Sequence, residues 1–104
     1  MPKAKRGELW LADLGLMAKV RPVLILSVEY GENQRAVVTY VSRTTTVRGT
    51  PYEVPHQSFG MPPGALDAQG IGTVPDVKLL RRLGVVDRQT LAQVETCVRM
   101  WLAL

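Results

Sequence analysis

Three strand-type runs follow one another between Gly7 and Ser42 with no helical segment between them, and this order constrains the fold more than any other feature of the 104-residue chain. The first, GELWLAD (Gly7 to Asp13), sets Leu9 and Leu11 against Glu8, Trp10 and Ala12. That is the period of two of a strand, with Trp10 placed to cover a barrel end. The second, RPVLILS (Arg21 to Ser27), is a nearly continuous apolar run, expected to be buried, with Pro22 at its start where no ladder N–H is needed. YGENQ supplies a turn, and AVVTYVS (Ala36 to Ser42) is a third strand rich in β-branched residues.

Downstream, RTTTVRGTP reads as a polar, basic loop before a short strand YEV (Tyr52 to Val54). SFGMPPGA has too much Gly and Pro for an element interior, and ALDAQGIGTVP offers one or two further strands ending at Pro75. Pro75-Asp76 is expected to start a short helical turn through Lys78, Leu79 and Leu80 that closes at Gly84. Asp87 is a plausible N-cap, and Leu91, Val94, Val98 and Trp101 recur at spacings of three and four, an amphipathic helix of about four turns. Short strands followed by one terminal helix predict a mainly β (α+β) fold, a small antiparallel barrel, with residues 1–104 as one domain.

Apolar residues form 46% of the chain and charged ones 21%, which excludes wholesale disorder. The net charge of +4 and pI near 9.6 favour an anionic partner, although a basic face alone decides nothing. Lone Cys97 cannot close an intrachain disulfide, and no run reaches the roughly 18 apolar residues that span a bilayer, so a reducing, cytoplasmic setting without membrane contact is expected. Lys3, Lys5 and Arg6 read as a solvated basic arm.

The side chains that are scarce remove most enzyme classes. His56 and Cys97 each stand alone, no zinc-ligand spacing or phosphate-binding glycine loop occurs, and the nine acidic residues are scattered singly. No metal or cofactor is therefore expected. Cys97 falls on the apolar side of the last helix as core filling, and His56 reads as an ordinary loop histidine. What remains is arginine with hydroxyls. That set suits RNA cleavage, where the attacking 2′-OH belongs to the substrate and the protein supplies orientation and charge stabilisation. It equally suits a strand-end ion pair at Arg21 and a polar hairpin at RTTTVRGT.

At these segments the chain resembles the MazF/PemK family of type II toxin-antitoxin ribonucleases. The likeness rests on RGELWLADL, RPVLILS, TTTVRGTPYEV (Thr44 to Val54), IGTVP and a terminal helix ending in WLAL. The resemblance implies a small SH3-like antiparallel β-barrel with a C-terminal helix, a homodimer, and cleavage of single-stranded RNA without a metal. It places a catalytic Arg at Arg21 and a catalytic Thr at Thr44, with Lys19, Arg43, Thr45, Arg48 and Gln69 along the RNA, and an acidic antitoxin competing for the same groove. Two departures stand out. The first loop, LGLMAKV, is shorter than the family's Gly-Ser-Glu-Gln type, and Gly72 stands where a cation is usual. Two other functions fit the same barrel, a gyrase-binding toxin of the CcdB type using Trp101 as anchor, and a non-catalytic RNA-binding module.

Overall fold

The computed structural model describes residues 4–16, 19–58 and 60–104, so Lys3 of the expected basic arm lies outside the described residues. Six strands form one antiparallel sheet: β1 (Glu8–Asp13), β2 (Val20–Ile25), β3 (Val37–Thr44), β4 (Glu53–His56), β5 (Gly64–Pro75) and β6 (Leu79–Val85). Their order across the sheet is β4-β5-β3-β2-β1-β6, and α1 (Arg88–Leu102) follows. The mainly β architecture with a terminal amphipathic helix is as expected from the sequence.

Each face of the sheet carries a core. Leu9, Leu24, Val41, Val54 and Leu66 pack with Val94 and Cys97 of α1, while Trp10, Ala12, Val23, Ile25, Val38, Tyr40 and Leu79 form a cluster on the opposite side. Because both faces are covered, β1 and β2 bury consecutive residues, and the alternation expected of β1 is overlaid by burial of Leu9, Trp10 and Ala12 alike.

Two stretches differ from the expectation, Pro75 to Gly84 and the basic arm at Arg6. The helical turn from Pro75 to Gly84 shrinks to a single 3-10 turn, Asp76–Lys78, and Leu79 to Val85 continue as β6 against β1. The β1–β6 ladder shifts register twice, between Leu9 and Trp10 and between Leu11 and Ala12. These bulges erase the period of two from LLRRLGV, and ladder pairing overrides the weak helical preference. ALDAQGIGTVP is one strand, bent where Ser42 faces Asp67 and Val41 faces Ile71, so that residues 68–70 bulge. A Cβ on Gly70 would lie 2.1 Å from Ser42 Oγ, so a larger residue at the bend requires that hydroxyl to turn away. Arg6 is not simply solvated; it pairs with Glu95 of α1 and donates to Leu26 O.

Asp87 caps α1 as predicted, its Oδ1 accepting the Thr90 amide at 2.7 Å. Asp87→Ala should cost about 1 kcal/mol, measured as a lower denaturant midpoint with unchanged m-value. Val94 and Cys97 are buried, but Trp101 is 42% exposed and rests its ring on Tyr52, 5.2 Å between centroids. Burial pushes the Cys97 thiol up, and its Sγ–H donates to Pro51 O, which suits packing rather than nucleophilic work.

Candidate active site

The β2–β3 ladder brings the two residues singled out by sequence together. Val23 faces Ser42 in that ladder. The paired stretch ends at Val23 and Ser42, and beyond it Arg21 of β2 and Thr44 of β3 line the same cleft. At this strand end a cleft of about 330 Å³ opens, lined by Arg21, Pro22, residues 43–46, Met61 and Pro62.

Thr44 is oriented by its own loop. Its Oγ1 accepts the Thr46 amide at 3.0 Å, a hydroxyl turn that uses an oxygen lone pair, and its proton reaches Thr46 O only at a long 3.4 Å. A closer acceptor in the cleft would take that proton readily. Thr45 is exposed beside it. Arg21 is exposed at the head of β2, anchored by Val23, Leu24 and Ile25, all fully buried.

The remaining candidates are distributed differently. Arg43 lines the cleft yet is only 4% exposed: Nε donates to His56 Nδ1 at 2.8 Å, and Nη2 donates to His56 O at 2.9 Å and Pro62 O at 2.6 Å. Lys19, Arg48 and Gln69 are exposed and lie outside the cleft lining. Lys19 closes the β1–β2 hairpin with a left-handed backbone (φ 58°), its carbonyl accepting the Leu14 amide. Gln69 sits in the β5 bulge, its amide on Asp67 Oδ1. Arg48 belongs to the turn that leaves the Thr44 loop.

Glu53 ties down that turn, a role the sequence did not suggest. Its carboxylate accepts the amides of Arg48, Gly49 and Thr50, at 2.6 Å from Gly49. The Arg48 amide leads in holding the carboxyl below its ordinary range, with Thr50 and Gly49 adding to it. A depressed carboxyl contributes fully above the ordinary carboxylate range, and the contribution is lost as pH falls through the folded-state value. Glu53→Ala should speed hydrogen exchange at residues 48–50 about fivefold, roughly 1 kcal/mol after allowing for solvent exposure, and acidification of the wild type should reproduce the effect.

His56 also departs from its reading as a loop residue: it ends β4 and is an acceptor for Arg43. Met61 and Pro62 were legible only as part of a Gly/Pro-rich connection, a signal for irregular backbone that says nothing of which wall it builds. Among the described residues no group of three or more His, Cys, Asp or Glu side chains is assembled as a metal site.

The sequence profile of the PemK-like, MazF-like toxins of type II toxin-antitoxin systems matches residues 5–102. The chain belongs to this family. Solved structures of family members superpose on it over nearly its whole length. An endoribonuclease from a mycobacterial species, solved in complex with its cognate antitoxin, is 29% identical, with a TM-score of 0.84 over 98% of this chain and 97% of its own. The Mycobacterium tuberculosis toxin MazF-mt6 is also 29% identical, with a TM-score of 0.81 over 93% and 97%. MazF from Deinococcus radiodurans reaches a TM-score of 0.86 over 100% of both chains at 18% identity, which is a likeness of fold alone. No curated protein is a significant sequence match. Within the PemK-like, MazF-like family, then, this member carries Arg21 and Thr44 in the lining of one cleft. No described helix is long and apolar enough to cross a membrane.

Proposed function

We propose that the chain is a metal-independent endoribonuclease toxin that cleaves single-stranded RNA, with Arg21 and Thr44 as its catalytic residues. The observation that carries this reading is that Arg21 and Thr44, from two neighbouring strands, line one cleft. The RNA 2′-oxygen attacks the adjacent phosphorus and the P–O5′ bond breaks. A 2′,3′-cyclic phosphate and a 5′-hydroxyl result, the proton leaving the 2′-OH and ending on O5′. Arg21 stabilises the charge on the pentacoordinate phosphorus. A permanently charged guanidinium is suited to this and poorly suited to proton abstraction. Thr44 donates its O–H to a non-bridging oxygen, in place of the long contact to Thr46 O.

Thr45 and Arg48 on the loop after β3, with Lys19 in the β1–β2 hairpin and Gln69 in the β5 bulge, supply cationic and polar contacts for the flanking phosphates. A cognate acidic antitoxin would compete for these contacts, as the complexed mycobacterial relative suggests, and the working form would be a homodimer, which gel filtration tests.

The deciding experiment incubates the purified chain with a long single-stranded RNA in EDTA, beside a DNA strand of matched sequence. RNA fragments ending in cyclic phosphate are expected, with the DNA intact because it lacks the nucleophile. Intact RNA after prolonged incubation would overturn the reading.

A further inference from the structure

Arg43 is adjacent to Thr44 in the chain but points the other way, and its cation is buried without a carboxylate. Among the described residues its three hydrogen bonds end on the His56 ring, the His56 carbonyl and the Pro62 carbonyl. The three acceptors belong to two segments, the end of β4 and the Met61–Pro62 wall that shares the cleft lining with Thr44. The guanidinium also lies against the backbone of Gly64, where a Cβ would stand 2.9 Å from Nη1 and 2.5 Å from Thr44 O. A buried charge costs several kcal/mol unless its donors are met, so a planar fork whose acceptors all come from the cleft's own frame is a demanding arrangement.

We propose that Arg43 is a positioning residue of the cleft rather than an RNA contact: its guanidinium fixes the Pro62 wall against the strand end carrying Thr44, and neutral His56 holds the guanidinium in place. The inference rests on the ribonuclease reading. The ring nitrogen that accepts from Arg43 has to be unprotonated, so protonating His56 removes an acceptor and sets two cations side by side. Two charged groups face the ring, Arg43 from β3 and Asp87 from the start of α1, and they act in opposite senses. Burial first, and Arg43 second, keep the imidazole below its ordinary range, which favours the neutral form in which the strut is intact.

The test compares steady-state cleavage of single-stranded RNA by the wild type, Arg43→Met, His56→Phe, their double variant and His56→Asn, each checked for folding by circular dichroism. Arg43→Met should lower kcat about 10–100-fold with KM within about threefold, because misplacement by about 1 Å is costly where reacting groups must align. His56→Phe should do the same, and the double variant should be no worse than the poorer single one. His56→Asn, whose amide oxygen can replace Nδ1 as acceptor, should recover most of kcat. It should also flatten the loss of kcat expected of the wild type as pH falls through the lowered His56 value. Wild-type kcat in Arg43→Met, or a loss confined to KM, overturns the proposal, the latter making Arg43 an RNA contact. Should Arg43→Met not fold, equal kcat in His56→Phe and the wild type overturns it. If the wild type itself leaves RNA intact, the ribonuclease reading falls and takes this one with it; cleavage with unaffected variants sinks the positioning role alone.

Discussion

Arg21→Ala is expected to lower kcat on single-stranded RNA by about 10²–10³-fold, the loss typical of removing one preorganised donor from a developing oxyanion. The side chain stands at the surface end of β2, while Val23, Leu24 and Ile25 behind it are fully buried. Deleting it therefore removes charge and donors without opening the core, and the melting temperature should move by no more than a few degrees. Arg21→Lys should recover little of the activity, because an ammonium group cannot present two parallel donors to a phosphate. Single-turnover kinetics with saturating enzyme are the suitable measurement, since they isolate the chemical step from RNA binding. If Arg21→Ala cleaves at the wild-type rate, the site is elsewhere. If the loss appears in binding alone, Arg21 is an anchor for the RNA backbone.

Gly64→Ala should be the most damaging small substitution for folding. The added carbon would lie 2.5 Å from Thr44 O, a backbone atom of the neighbouring strand, and 2.9 Å from the guanidinium of Arg43. The first is backbone, and the second is a side-chain end held by its hydrogen bonds to His56 and Pro62. Gly64 pairs with His56 and begins the strand that pairs Ala65 with Thr44, so relief requires β5 to move away from β3 and β4 together. Overpacking of this kind costs about 3 kcal/mol, which for a domain of about 100 residues lowers Tm by roughly 15 °C. The folded fraction should also cleave RNA slowly at low temperature, because Thr44 and Arg43 are both displaced. A Tm within about 3 °C of wild type would show that the strand end has slack.

Much of this architecture was legible in the sequence because neighbouring residues encode it. Asp87 followed by Leu91, Val94 and Val98 specifies a capped helix, and RPVLIL specifies a buried strand whose first residue emerges at an end. The β6 strand was not legible. Its pairing with β1 shifts register twice, so Leu79 to Val85 show neither a period of two nor one of 3.6. Arg21 and Thr44 could be named by resemblance, but that they line one cleft follows from the pairing of β2 with β3, which brings together residues 23 apart. Arg43 illustrates the limit most sharply. In a row of basic and hydroxyl residues it looked like its exposed neighbours Thr45 and Arg48. Strand alternation, however, turns it toward His56 and Pro62, 13 and 19 residues away.

The sheet has two free margins, β4 and β6, and both are poor templates for a further strand. β4 is four residues long and contains Pro55, which contributes no amide hydrogen. β6 is distorted by two bulges and carries Arg81 and Arg82. Margins built this way resist accretion of other chains, the route by which β-rich proteins form fibrils. Growth through the outermost strands is thus disfavoured even at high concentration, which leaves side chains as the better means of assembly.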